Sequence, residues 1–190
     1  MQKVVIYTII LLTCQQASTQ EKWGVHFKPS MNFVTEDLDI LDSQVGFGFE
    51  FDISYKFIDY FEAYAGWNWN SFKITTDETN RNDLNTFGYT FGLHFIHPAK
   101  STNLSYFAQI GGVYNIMRLE NENGRTVAES DNGLGWEIAA GVEIALGSST
   151  WHLRPQIGFR SFSRDLVINN LNSQIQLNHI FLSNGLIKRF

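Results

Sequence analysis

The chain has 190 residues, a formal net charge of −5 and a single cysteine. That acidic balance argues against a nucleic-acid backbone as partner, and one cysteine excludes an internal disulfide framework. No run of about 18 apolar residues follows the N-terminal segment, so a membrane-crossing helix is excluded too. The sequence also contains no Walker-type loop, dinucleotide fingerprint, HExxH motif or solenoid-length repeat.

Met1 to Gln20 carries Lys3, an apolar run from Val4 to Leu12, and the small polar stretch Ala17-Ser18-Thr19. This is the layout of a secretory signal peptide, with an apolar run shorter than the roughly 20 residues that cross a bilayer as helix. Cleavage near Ala17 to Thr19 divides the chain into a 1–19 leader and a single 20–190 domain. Losing Lys3 with the leader takes the net charge from −5 to −6. Leu11-Leu12-Thr13-Cys14 offers an alternative, a lipidation box, although threonine before the cysteine departs from that pattern. If Cys14 leaves with the leader, the mature chain has no thiol chemistry.

Beyond the leader the chain alternates. Trp23–Val34 is the first segment with period two, and Val45 to Phe57, VGFGFEFDISYKF, is the clearest. It puts Val45, Phe47, Phe49, Phe51, Ile53, Tyr55 and Phe57 on one face, and Gly46, Gly48, Glu50, Asp52, Ser54 and Lys56 on the other. Such a pattern identifies a strand with one apolar side. The same reading predicts strands over Tyr60–Lys73, Thr86–His97, Leu104–Arg118, Gly133–Gly147, Trp151–Phe162 and Ile175–Phe190. Each reaches about ten residues, the length a tilted strand needs to cross a bilayer. Short connections at Ile58-Asp59, Pro98–Asn103 and Ser148-Ser149 alternate with longer polar ones at Thr35–Gln44, Ile74–Asn85, Leu119–Asn132 and Ser163–Gln174. This is the connectivity of an eight-stranded up-and-down meander.

Register tests the meander. Across Ser148-Ser149, the pairing that sets Glu143 opposite Arg154 also sets Glu137 opposite Arg160, and on the other face matches Ile144 with Leu153 and Ile138 with Phe159. At Asp59, Lys56 faces Glu62, with Phe57 by Phe61, Phe51 by Trp67 and Phe49 by Trp69. Opposite charges directly across a ladder contribute about 0.2–1 kcal/mol per pair, and a slip of one residue would turn every side chain to the wrong face. Pro155 cannot donate to a ladder, so a bulge or a missing rung is expected there.

The last segment, Asn178 to Phe190, reads NHIFLSNGLIKRF and stops on an aromatic residue. It resembles the closing strand of bacterial outer-membrane β-barrels. With the leader and the meander, the chain from Gln20 to Phe190 resembles the small outer-membrane β-barrel family, the OmpX-like and OmpA-type barrels. The resemblance implies an all-β, eight-stranded antiparallel up-and-down transmembrane β-barrel in the cell outer membrane. Its implied partners are outer-membrane lipid, lipopolysaccharide, and the barrel-assembly machinery, which would read Gly185, Leu186, Lys188 and Phe190. A monomer is expected, and no residue of the chain is singled out as catalytic or as holding a cofactor or metal. Lys188 departs from the aromatic usual at its position, and near the rim a lysine can snorkel to the interface.

Alternation alone does not tell which face meets lipid. A lipocalin-like carrier of a small apolar ligand has the same strand count with its apolar face inward. Volume separates the two: an eight-stranded interior is only just filled by ordinary side chains, and rings such as Phe47, Phe51, Trp67, Tyr89, Phe91 and Trp136 would overfill it. The opposite face, spaced by Gly46, Gly48, Gly66, Gly88, Gly92, Gly111, Gly135, Gly141 and Gly158, suits a tight interior. There Glu137–Arg160, Glu143–Arg154 and Lys56–Glu62 read as structural ion pairs, because unpaired charge in a poorly hydrated interior is costly.

The expected function is non-enzymatic, structural or through extracellular-loop contact, with a narrow pore and a lipid A-modifying enzyme as alternatives. Open diffusion needs about 16–18 strands. The deacylase-like arrangement sets histidine and serine two apart, whereas His179 and Ser183 stand four apart, about 13 Å along a strand, and a general base must lie about 3 Å from its proton. Among the loops, Glu36, Asp37, Asp39 and Asp42, and Glu120, Glu122, Glu129 and Asp131, form an acidic rim that could attract divalent cations through oxygen ligands. Solvation of a rim is the simpler reading.

Overall fold

The computed structural model describes residues 21–35, 45–77, 80–100, 103–168 and 171–190. The expected leader lies outside them, as do Glu36, Asp37, Asp39 and Asp42. Nine strands form one sheet: β1 (Trp23–Val34), β2 (Val45–Ile58), β3 (Phe61–Asp77), β4 (Asn80–Pro98), β5 (Leu104–Asn121), β6 (Thr126–Glu129), β7 (Gly133–Ala145), β8 (Trp151–Ile168) and β9 (Leu171–Arg189). All neighbours run antiparallel, and β1 pairs with both β2 and β9, so eight strands close on themselves while β6 adds a flap beside β5. A closed meander satisfies its backbone without an exposed edge, which is the condition for crossing hydrocarbon with strands.

The sidedness follows the volume argument. Outward rings and aliphatics lie open along the whole circumference, for example Phe47 at 60% and Leu134 at 67% exposure, while Arg154 and Glu137 are fully buried. Apolar area on that scale has no place in water and marks a hydrocarbon-facing belt.

Expected registers hold over β7–β8, where Glu137 faces Arg160 and Ile144 faces Leu153, and over most of β2–β3, where Phe51 faces Trp67 and Lys56 faces Glu62. One expected pair changes. A register shift after Lys56 brings Ile58, not Phe57, opposite Phe61. The hairpin closes through Asp59-Tyr60, with Tyr60 in the left-handed region at φ 69°; the extra residue of the bulge accommodates that tight turn. At Pro155 the β7–β8 ladder is interrupted between Gly141↔Gln156 and Ile144↔Leu153 and resumes in the same register. It is a missing rung without a bulge. Pro29 does the same to the β1–β9 ladder, which breaks between Phe27↔Leu186 and Ser30↔Ser183.

Three polar segments expected as loops are in part strand. The β3–β4 hairpin pairs up to Asp77↔Asn80, the β8–β9 hairpin up to Ile168↔Leu171, and β6 folds back on β5. Their alternation persists, but its chemistry inverts. Toward this loop end Met117, Leu166, Ile175 and Leu177 are buried, while Asp165, Gln174 and Gln176 are exposed. Above the belt the outside is water, so the apolar side turns inward as in a soluble sheet.

Candidate functional site

Two places in this fold can carry chemistry: the interior and the loop-end hairpins. At the end bearing the short turns, Arg189 of β9 donates to Glu143 Oε1 of β7 at 2.8 Å and to Glu62 Oε1 of β3 at 2.6 Å. Glu143 also accepts from Arg154 Nε at 3.0 Å and lies 3.0 Å from His152 Nδ1. The Arg154 guanidinium rests over the Phe107 ring, 4.3 Å from its centroid. Glu62, Glu143, His152 and Arg189 line a vestibule of about 770 Å³ open at the turn end.

The next level crosses the barrel. Lys28 Nζ on β1 meets Glu50 at 2.6 Å and Asp52 at 2.8 Å, both on β2. His26 sits between Asp52 and Ser54, 3.0 Å from each. Arg160 on β8 donates to Glu137 at 2.8 Å and to Glu50 at 2.7 Å. Tyr64 donates to Glu137 at 2.6 Å, accepts from Gln109 at 2.9 Å, and stacks on His94 with centroids 4.3 Å apart. Its ring fits because β5 carries glycine opposite: a Cβ on Gly111 would collide with the Tyr64 hydroxyl. Every carboxylate here faces at least one cation, as a poorly hydrated interior demands. The cavity left among Lys28, Glu50, Gln156 and Arg160 is about 20 Å³, room for about one water.

Above this network comes an amide layer, Asn32 to Asn70 at 3.0 Å and Asn70 to Asn68 at 3.2 Å. Then the interior turns apolar. Phe72, Leu84, Met117, Phe162, Leu166 and Leu177 pack with Val34, Ala128 and Ile175 into one cluster. His179 marks the boundary, edge-on to Phe72 at 5.4 Å and Phe162 at 6.1 Å, with neither ring nitrogen hydrogen-bonded among the described residues. His179 and Ser183 both face inward on β9.

Of the residues singled out from sequence, Glu137 meets Arg160 and Glu143 meets Arg154. Lys56 and Glu62 are opposite in register, yet their side chains do not pair. Lys56 turns to Asp59 at 3.7 Å in the open rim, while Glu62 takes Arg189 and lies 3.6 Å from His94. Water solvates an ammonium at the rim, whereas a carboxylate aimed inward needs a buried partner. In the closing strand, Gly185 packs by Lys28 and Arg154, and Leu186 faces outward. Lys188 donates to the Thr150 hydroxyl and lies 5.3 Å from the Trp151 ring centroid. The Phe190 N–H bonds to Trp23 O at 2.9 Å.

Lys28, Tyr64, Arg164 and Arg189 are central to the interior, and the sequence assigned them no role there. Strand parity was the available signal. Lys28 shares the inward phase of its strand with His26 and faces Glu50 in register, and Arg189 shares the phase of Gly185.

On the outer face at the loop end, Arg118 donates to Glu129 at 2.7 Å, lies 3.9 Å from Glu120, and covers the Phe87 ring. Asn85 donates to Glu120 at 3.0 Å. Among the described residues, no group of three or more His, Cys, Asp or Glu could hold a metal ion.

The family model of the outer membrane protein beta-barrel domain matches residues 5–180. Among solved structures, the Neisserial surface protein A aligns with a TM-score of 0.64 at 14% identity, over 88% of this chain and 97% of that one. OprG from Pseudomonas aeruginosa aligns at 0.61 and 8% identity, over 89% and 95%. Ail, the attachment invasion locus protein of Yersinia pestis, solved with the heparin analogue sucrose octasulfate, aligns at 0.54 and 14% identity, over 90% and 100%. At these identities the likeness is one of fold. No curated protein matches the chain.

Proposed function

Because the chain belongs to the family of the outer membrane protein beta-barrel domain, we propose that it is a filled, non-conducting barrel that anchors its loop-end hairpins at the cell surface for envelope structure or adhesive contact. The outer membrane is its location, and lipid with lipopolysaccharide its surroundings. One observation carries the reading: a salt-bridged layer is capped by an apolar cluster, so hydrated ions meet first paired charges and then Phe72, Leu84, Met117 and Leu177. A porin-like lumen has no room in such an interior. A catalytic reading finds little support, because His179 lies among aromatic rings, beneath the apolar cluster, away from the outer surface.

Charge separates the contact from the one in the Ail structure. The outward loop-end surface carries Asp83, Glu120, Glu129, Asp131 and Asp165 against Lys73, Arg118 and Arg125. A sulfated polyanion would meet net repulsion, so the fitting partner is basic or bridged by divalent cations. Closure of β9 on β1 through Phe190 and Trp23 agrees with Gly185, Leu186, Lys188 and Phe190 as the segment read by the assembly machinery.

The test combines planar-bilayer recording with binding of the folded, detergent-solubilised protein to polycation and heparin surfaces at low ionic strength. Retention on the polycation without stepwise conductance is expected. Stepwise ion currents, or heparin retention, would overturn the reading. Unchanged lipid A composition in cells that overproduce the protein is the matching outcome for a non-enzyme.

A further inference from the structure

The lipid-facing surface contains a polar defect. Asn184 on β9 faces outward and is exposed, with Leu182 and Leu186 outward on either side of it along the strand. Asn184 pairs in register with Pro155 on β8, and the β1–β9 register puts Pro29 opposite it on the other side. Both prolines are themselves outward and exposed. Pro29 has no N–H to offer, and the β1–β9 ladder is interrupted there. The Asn184 side chain makes no hydrogen bond among the described residues.

Depth makes this costly. Asn184 lies four residues along β9 from Lys188 at the rim, about 10 Å up the barrel wall for a strand tilted by about 45°. That is well inside an apolar band about 25 Å tall. An amide there has neither water nor lipid headgroup within reach, and an unsatisfied polar group in hydrocarbon is strongly unfavourable. The partner does not come from within. Behind the seam Lys28 is held by Glu50 and Asp52, and the interior space is about 20 Å³. Next to Asn184 on the outside runs a groove of about 480 Å³, walled by Pro29, Met31, Phe47 and Leu182.

We propose that this β1–β9 seam is a contact between two copies of the chain in the bilayer, with Asn184 bonded to Asn184 of the second copy and apolar side chains of each copy seated in the other's groove. A carboxamide is donor and acceptor at once, so across a two-fold axis it satisfies itself. A lipid tail would fill the groove and leave the amide bare. Hydrogen bonds between polar side chains are an established source of association within membranes. The seam thus departs from the monomer expected from the sequence.

Cysteine cross-linking tests it. With Cys14 changed to Ser, N184C is oxidised in isolated outer membranes beside L93C, an outward position on β4, which lies across the barrel from β9. A disulfide-linked dimer for N184C, at least fivefold above L93C, is expected. Equal yields, or none, would overturn the proposal. Association of fluorescently labelled copies in lipid vesicles supplies the second reading. N184L should weaken transfer between labels at least tenfold in protein-to-lipid ratio, whereas N184Q keeps it within about threefold. Unchanged association in N184L would refute an amide-mediated contact. Heat-modifiable migration confirms that each variant is folded, and wild-type protein that stays dispersed at high protein-to-lipid ratio would also exclude the dimer.

Discussion

Arg164 on β8 donates through Nε to the main-chain carbonyl of Asn115 on β5, 3.0 Å away, across a fork in the sheet. Below the fork β5 pairs with β7, starting at Asn115↔Gly133; above it β5 pairs with β6. Around this fork the guanidinium gathers further acceptors: Leu134 O at 3.3 Å, Ser163 O at 2.6 Å, and Gly133 O, together with the Asn115 amide oxygen. Ser130 completes the closure by accepting from the Met117 N–H at 2.9 Å and bridging to Leu166. A rigid, five-donor fork suits such a cluster of acceptors.

Arg164→Ala should therefore loosen the loop end while leaving the belt intact. The expected loss is about 1–3 kcal/mol, the cost of stranding partly buried acceptors. Urea unfolding in lipid vesicles measures it, and amide exchange should rise at residues 126–130 before it rises in β1 or β2. Arg164→Lys should recover only part, since an ammonium reaches fewer of these carbonyls.

The cross-barrel node at Glu137 makes a larger prediction. Glu137→Ala leaves Arg160 and Tyr64 short of their acceptor, and breaking a buried pair costs about 3–5 kcal/mol. Replacing Glu137 and Arg160 together by leucine and methionine should lose less than the two single changes summed. A double-mutant cycle on unfolding free energies measures the difference, and strict additivity would contradict the coupling.

Lys56 and Glu62, opposite in register, should respond unequally. Lys56 is half-exposed with Asp59 in the rim, so Lys56→Met should change stability by under about 0.5 kcal/mol. Glu62→Ala leaves the buried Arg189 with Glu143 as its one remaining carboxylate and should cost several times more. Equal effects would mean that the two side chains do pair in the membrane.

The inversion of sidedness gives a comparison along one strand. Leu177 is fully buried in the loop-end cluster, and Leu182, on the same β9, is 45% exposed to the lipid side. Leu177→Ala should cost about 2–5 kcal/mol through lost burial and the cavity left behind. Leu182→Ala loses only the transfer contribution, because lipid fills the vacated space. Unfolding of the two variants in the same vesicles checks the order.

What the sequence determined by itself was the set of relations that depend on counting. Period two in VGFGFEFDISYKF named a strand and its two faces, turn spacing gave the strand number, and charge matching across Ser148-Ser149 set the β7–β8 register. Ring volume told which face meets lipid. Each of these needs only neighbours along the chain or one hairpin partner. Tertiary structure alone decided which cation each carboxylate takes, because Arg189 and Glu62 are 127 positions apart and meet only when the barrel closes. It also decided that the polar hairpins continue as sheet with an apolar interior. Alternation looks the same on both sides of the membrane boundary, and only the surrounding medium, hydrocarbon or water, fixes which phase of it turns inward.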